Sequence, residues 1–120
     1  MTACVFCQIV AGGSPAEDFQ DHGPVVSFAP LGPQVPGHTL FVPKGHIADA
    51  TDDVLLASQT FRVAAQYVQW LRQPANIITS VGAEATQSVF HLHVHVLPRG
   101  EQDGLRRSWP WVRAALDGDA

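Results

Sequence analysis

Residues 91–97 read HLHVHVL, which places three imidazoles two positions apart in an otherwise apolar run. Because side chains alternate between the two faces of a strand, this spacing predicts a strand with the three rings on one face and Leu92, Val94 and Val96 on the other. Three interpretations are open: a sheet face that carries histidines without using them, a His-x-His metal site completed elsewhere, or attack by a neutral imidazole on phosphorus or carbonyl carbon. The strict alternation favours the last two.

The surrounding sequence predicts an α+β domain with a mainly antiparallel sheet of about five strands. Strand-forming runs cover residues 19–20, 25–29, 39–42, 76–81 and 89–97, and a short N-terminal helix is predicted over 5–11. One long helix is expected to begin after a cap at Thr51 or Asp52, to run to Arg72 on one face of the sheet, and to end before Pro74. Its apolar residues recur at helical spacing and are expected to face the core: Leu55, Phe61, Ala64, Ala65, Val68 and Leu71.

The composition of the 120 residues predicts one globular domain, since 46% of them are hydrophobic and 15% are charged. A net charge of −4 and the lack of a basic stripe argue against duplex nucleic acid as a partner. No run approaches the ~18 apolar residues of a membrane-spanning helix, and the N-terminus lacks the regions of a signal peptide. We therefore expect a cytoplasmic protein without membrane association, and the low charge fraction favours self-association.

The two cysteines, Cys4 and Cys7, are the only thiols of the chain and have the spacing of half a zinc site. In a reducing compartment they are expected to be metal ligands rather than a disulfide, although reduced thiols without metal remain an alternative. A thioredoxin-like role is disfavoured, because that motif follows a strand of a βαβ unit and this pair lies at the start of the chain.

Other motifs accompany the histidine run, and together they resemble the histidine triad (HIT) superfamily of nucleotide hydrolases and transferases, in particular its Hint-like branch of zinc-containing type. In chain order the matching segments are Cys4-Val5-Phe6-Cys7, Pro33-Gln34-x-Pro36-x-His38, Val42-Pro43-Lys44-x-His46, Gly82-x4-Gln87-Ser88-Val89-Phe90 and the triad itself. The resemblance covers about residues 4–98. It implies a single HIT domain over 1–120 with a tail from about 99 to 120, and a homodimer.

The resemblance also implies a mechanism, in which His93 attacks the α-phosphorus of a nucleotide and forms a covalent nucleotidyl-histidine that water then hydrolyses. His95 would hydrogen-bond phosphate oxygens, and Ser88 would contact the phosphate or help to protonate the leaving group. The implied substrates are nucleoside phosphoramidates or related nucleotide conjugates. Two alternatives stay open: a nucleotide-binding regulatory protein with little or no catalysis, and a metal-dependent enzyme that uses the triad as ligands.

The remaining site residues also follow from the family pattern. A closed structural zinc site is implied at Cys4, Cys7, His46 and His91, while His38 is expected to be a packing or loop hydrogen-bond residue. The residues expected to bind substrate are Gln87, Ser80, Gly82, Phe28, Leu31 and Ile47.

Two positions depart from the Hint-like pattern on the sugar side of the expected pocket. Pro30 replaces the acid that holds the ribose hydroxyls in that branch, and Ser80 replaces an asparagine. We therefore expect ribose recognition to be loosened or altered while the phosphorus chemistry is retained. The tail segment Trp109-Pro110-Trp111 either reaches toward a partner subunit's active site or simply docks an aromatic tail.

Overall fold

The computed structural model describes residues 4–101 and 103–105, so the Trp109-Pro110-Trp111 prediction lies outside the described residues. Its elements are two helices, α1 Val5–Val10 and α2 Val54–Leu71, a 3-10 turn at Ala83–Ala85, and five strands: β1 Gln20–Asp21, β2 Val25–Phe28, β3 Thr39–Pro43, β4 Ala75–Ile78 and β5 Val94–Pro98. The strands form one sheet in the order β1-β2-β3-β5-β4, and each neighbouring pair is antiparallel. The predicted α+β class is confirmed.

The long helix α2 starts one residue later than its predicted cap. The Asp53 carboxylate accepts the hydrogen bond of the Leu56 N–H at 3.1 Å, so Asp53 is the N-cap. Asp52 instead accepts from the Ala48 N–H in the preceding turn, which is why the expectation of a cap at Thr51 or Asp52 was wrong. The helix ends where Arg72 takes a left-handed conformation, with φ 56°, two residues before Pro74.

The sheet is covered on both faces, and α2 covers the first of them. Ala64 of α2 packs with Val25, Phe41, Val94 and Val96, and the neighbouring helix residues Val63, Tyr67, Val68 and Leu71 join this cluster. The prediction that Leu55 and Phe61 face the core was wrong, since they are 70% and 48% exposed. At 100° per residue both lie outside the stripe that Thr60 and Ala64 turn toward the sheet.

The opposite face of the sheet packs against α1. Phe6 and Ile9 of α1 are buried against Val26, Phe28, Leu40 and Val42, which alternate along β2 and β3 with the residues that face α2. His95 pairs directly with Leu40 across β3 and β5, so it lies on this α1 face.

The last two strands differ from their predicted bounds. β4 ends at Ile78 rather than at residue 81, and β5 begins at Val94 rather than at residue 89, so that His91 and His93 precede the strand. The ladder between β3 and β5 stops because Pro43 has no N–H to donate and its carbonyl accepts from the His91 ring. The Leu92 N–H likewise donates to the Ile47 carbonyl at 2.7 Å, beyond the end of β3.

In the part of the chain that the structure describes, no helix combines the length and apolar character needed to cross a membrane.

Candidate active site and metal cluster

The triad rings lie in one buried layer together with Phe6 of α1. The Phe6 ring contacts His91 and His93 with centroid separations of 5.9 and 5.1 Å, and the His93 and His95 rings are 5.0 Å apart. His91, His93 and His95 are 0%, 6% and 3% exposed. The alternation seen in the sequence therefore does bring the rings together, although the strand itself contains only His95.

The hydrogen bond of His93 determines which of its nitrogens can react. His93 Nδ1 lies 2.9 Å from the His91 carbonyl oxygen, and because a carbonyl oxygen only accepts, Nδ1 must carry the proton. In the neutral ring the lone pair is then on Nε2. The Thr79 hydroxyl donates to the His93 carbonyl at 2.9 Å, which fixes the backbone on the other side of the same residue.

A second chain of hydrogen bonds determines the proton of His95. The Gln34 N–H donates to His38 Nδ1 at 3.1 Å, which leaves the His38 proton on Nε2. His38 Nε2 in turn donates to His95 Nδ1 at 3.0 Å, so His95 carries its own proton on Nε2. His38 thus makes a loop hydrogen bond through Nδ1, and in addition it orients a triad histidine through Nε2, which was not predicted.

Burial keeps these rings neutral near pH 7. Desolvation lowers the pKa of His38 to about 4 and also lowers the pKa of His93, which the bond to the His91 carbonyl only partly offsets. The pKa of His95 falls to about 2, through burial first and then through its neighbours His93 and His38. A neutral His93 can act as a nucleophile, and a neutral His95 can donate a hydrogen bond. Displacement at phosphorus needs both, one group to attack and another to stabilise the phosphate oxygens.

The loop before the triad is held by the Gln87 side chain. Its Oε1 accepts from the Gly82 N–H at 2.8 Å, and its Nε2 donates to the carbonyls of Ala48 and Val89 at 2.7 and 3.1 Å. These bonds occupy the amide with the protein itself, so Gln87 shapes the loop that presents Ser88. Ser88 is exposed, next in the chain to the buried Gln87.

The four predicted metal ligands come together at the edge of the triad layer. Among the described residues, the ligand atoms of Cys4, Cys7, His46 and His91 all lie within 4.8 Å of one another, and this cluster could hold a metal ion. His46 Nδ1 and His91 Nδ1 are 3.1 Å apart, and the two sulfurs lie 3.4 and 3.5 Å from His91 Nδ1. His91 Nε2 donates to the Pro43 carbonyl at 2.8 Å, which directs the Nδ1 lone pair at the cluster.

An apolar cavity of about 500 Å³ adjoins the triad through Phe6, which lines the cavity and contacts the His93 ring. Phe28 and Leu31, two of the residues predicted to bind substrate, line this cavity as well. Ile47 is buried but does not belong to the cavity lining. Ser80 is half-buried after β4, and its hydroxyl has no hydrogen-bond partner among the described residues.

The family model for the HIT domain matches residues 12–102 of this chain. The chain belongs to the HIT family. It is 35% identical to the protein named hit from Bacillus subtilis over 115 residues, which are 88% of this chain and 78% of that protein. The crystal structure of a HIT-family member from Bacillus subtilis has a TM-score of 0.79 and 33% identity, covering 90% of this chain and 82% of that one. A HIT family hydrolase from Clostridium thermocellum has a TM-score of 0.75 and 27% identity, covering 90% and 99%.

The sequence did not reveal two side-chain hydrogen bonds that hold the triad, one from His38 and one from Thr79. His38 stood in a quoted motif, but its partner His95 is 57 positions away, so that no local pattern could reveal the bond. Thr79 has no sequence signal at all, since it acts on a main-chain oxygen 14 positions away.

Proposed function

We propose that this HIT-family protein is a nucleotide hydrolase or nucleotidyl transferase that acts at the α-phosphate of nucleoside phosphoramidates or related conjugates. The observation that carries the proposal is the bond from His93 Nδ1–H to the His91 carbonyl, because it leaves the Nε2 lone pair for attack. The similarity to a HIT family hydrolase supports a hydrolase in this coarse sense. The narrower choice of phosphoramidates rests on the resemblance to the Hint-like branch.

The reaction proceeds in two displacements at phosphorus. His93 Nε2 attacks the α-phosphorus, the bond from phosphorus to the leaving nitrogen breaks, and that nitrogen takes up a proton from solvent or through the Ser88 hydroxyl, which is proposed to assist. A water molecule then attacks the nucleotidyl-His93 and gives up one proton to solvent, the bond from phosphorus to Nε2 breaks with its electron pair returning to the ring, and the nucleoside monophosphate leaves. His95 donates a hydrogen bond from its Nε2–H to a phosphate oxygen. The hydrogen bond between Gln87 and Gly82 holds the loop whose N–H groups stabilise the developing charge.

The metal of the cluster is proposed to be a structural zinc. In a tetrahedral site with Zn–S of about 2.3 Å and Zn–N of about 2.0 Å, two nitrogens are about 3.3 Å apart and a sulfur and a nitrogen about 3.5 Å. The observed separations of 3.1 Å between nitrogens and 3.2–3.5 Å between sulfur and nitrogen fit this donor set. Bound zinc would supply no chemistry to the reaction. It would link the N-terminus and α1 to the triad layer.

Homodimerisation and a cytoplasmic location belong to the same proposal. Exposed apolar side chains on α2 support a second copy as partner: Val54, Leu55, Phe61 and Trp70. Within the described residues β4 is the last strand of the sheet order, and its outer edge offers main-chain groups for the same purpose. A thiol pair placed as metal ligands suits a reducing compartment.

A nucleotide-binding protein without turnover is the second candidate, and the sugar side of the pocket favours it. Pro30 lines the cavity but has no side-chain group to bind a hydroxyl, and Ser80 is shorter than the asparagine of the branch. A metal-dependent reaction with the triad as ligands is disfavoured, because only His91 joins the cysteine cluster, while His93 and His95 are bonded to the His91 carbonyl and to His38.

The experiment that decides between them is hydrolysis of a panel of nucleoside 5′-phosphoramidates, with intact-protein mass recorded during turnover. We expect turnover and a nucleotidyl adduct in the wild type, and neither in His93→Ala. His22→Ala is the matched control, because His22 bonds Ser27 on the α2 face, away from the triad. Nucleotide binding without turnover or adduct in the wild type would instead establish the second candidate.

A further inference from the structure

Among the described residues that line the cavity beside His93, Glu17 is the one with a polar side chain. Every other lining residue is apolar: Val5, Phe6, Ile9, Pro15, Ala16, Phe28, Ala29, Pro30, Leu31, Pro33 and Leu40. A volume of about 500 Å³ is within the range of pockets that hold small ligands, and such pockets combine apolar walls with a few polar groups that set specificity. Any specific polar contact with a ligand side group in this cavity therefore falls to the Glu17 carboxylate or to the main chain.

A main-chain hydrogen bond places Glu17 next to the end of β2. Its carbonyl accepts from the Ala29 N–H at 2.9 Å, and Ala29 directly precedes Pro30, so the two segments run side by side at the cavity wall. Asp18 follows in a left-handed conformation, with φ 56°, which turns the chain away at this point. Among the described residues the Glu17 carboxylate has neither a hydrogen bond nor an ion pair, so it is not committed to the protein itself.

We infer that the Glu17 carboxylate accepts hydrogen bonds from the sugar hydroxyls of a nucleotide whose nucleoside occupies this cavity. The inference rests on the proposed function for the identity of the ligand, because a phosphate at His93 places the nucleoside on the Phe6 side of the site. Base faces are apolar and suit Phe6 and Phe28, whereas the ribose presents two neighbouring hydroxyl donors. A carboxylate, with two acceptor oxygens, is the side chain that matches such a pair.

This assignment makes the ribose recognition of this chain altered rather than lost. Pro30 supplies no acceptor at the end of β2, and Glu17 supplies one from the neighbouring segment to which Ala29 is hydrogen-bonded. The acceptor has thereby moved from one wall of the cavity to another. Ribose specificity in this protein then depends on a residue in the loop before β1.

The test compares the affinities of AMP and 2′,3′-dideoxy-AMP, measured by calorimetry on the full chain, so that binding is read without any need for turnover. Hydrogen bonds to a charged group are worth enough to change affinity by about tenfold or more, and the wild type should prefer AMP by at least that factor. Glu17→Gln and Glu17→Ala should remove the preference by weakening AMP alone. The matched control is Asp18→Asn, which removes the same charge one residue away. Asp18 does not line the cavity beside His93, but it lines, together with Glu17, a second cavity of about 860 Å³.

The possible results separate this inference from the proposed function. A wild-type preference that disappears in both Glu17 variants and survives in Asp18→Asn establishes the contact, whether or not phosphoramidates are hydrolysed. Equal wild-type affinity for the two nucleotides, or a preference that persists in Glu17→Ala, overturns it even if turnover and the His93 adduct are observed. A loss of preference in Asp18→Asn as well would show a general charge effect and would also overturn it.

Discussion

His38 offers the sharpest test of how the site is built, because it has no place for a substrate in the proposed mechanism and acts only through His95. In His38→Phe the ring volume is nearly retained, but the Nε2–H donor to His95 Nδ1 and the acceptor for the Gln34 N–H are both removed. Loss of a buried hydrogen bond destabilises by about 1–3 kcal/mol, and His95 is then free to move its proton to Nδ1. If that free energy is lost in the transition state, kcat falls by about 10- to 100-fold.

Steady-state hydrolysis of a nucleoside phosphoramidate, with denaturant unfolding in parallel, measures both consequences. We expect kcat to fall in His38→Phe with a small change in KM, since the ground-state contacts with the nucleoside stay in place. His38→Gln retains an N–H donor at nearly the position of Nε2 and should recover most of the lost rate. A His38→Phe enzyme with kcat within twofold of the wild type would refute the inferred relay, as would equal rates for the phenylalanine and glutamine variants.

Three further perturbations are predicted. Chelation should remove zinc from the four-residue cluster and lower Tm by more than about 4 °C in a thermal scan, while turnover per folded molecule is retained. Immediate loss of turnover with an unchanged Tm would contradict a structural metal. Because the folded pKa of His38 is about 4 and its unfolded value is 6.5, its contribution to stability is complete above pH 6.5 and is lost progressively as the pH falls from 6.5 to 4. Denaturant unfolding at pH 7.5 and 4.5 should therefore differ by about 2 kcal/mol more in the wild type than in His38→Gln, after a discount for screening by solvent; equal differences would contradict this. Thr86 is a β-branched residue at φ 77°, and its buried hydroxyl has no hydrogen-bond partner among the described residues. Thr86→Gly should therefore raise the free energy of unfolding of the protein by about 1 kcal/mol, and a decrease would show that the strain is absent.

The fold could be predicted from the sequence because its signals are local. Pro74 indicated the C-terminal end of the long helix, which closes two residues earlier at Arg72, and the alternation in residues 91–97 assigned Val94 and Val96 to the core. The predictions failed where a tertiary bond overrides the local pattern. The run from Val89 to His93 has strand propensity, yet its groups bond to Ile47 and Pro43 and it leaves the sheet.

The site was predictable in its composition but not in its connections. Cysteine spacing and the family pattern identified four residues that the fold brings together in a cluster able to hold a metal ion, because such a cluster needs particular residue types and the chain has few of them. The bond from His38 to His95 and the bond from Gln87 to the Ala48 carbonyl required the folded chain, since they join positions 57 and 39 residues apart. The sequence could not predict that Glu17 lines the cavity, because that position depends on how the loop before β1 packs beside Ala29.

The three triad histidines are chemically identical, and the partner of each ring determines what it can do. His91 donates from Nε2 to a main-chain carbonyl, so its Nδ1 lone pair is directed to the cysteine cluster. His93 donates from Nδ1 to the next carbonyl along, so its lone pair is on Nε2, where a nucleophile is needed. His95 accepts at Nδ1 from another imidazole, so it keeps a proton on Nε2 to donate. A strict repeat in sequence thus gives three rings whose protons are fixed by different partners, two carbonyls and one histidine, and the proposed roles of metal ligand, nucleophile and donor rest on that difference.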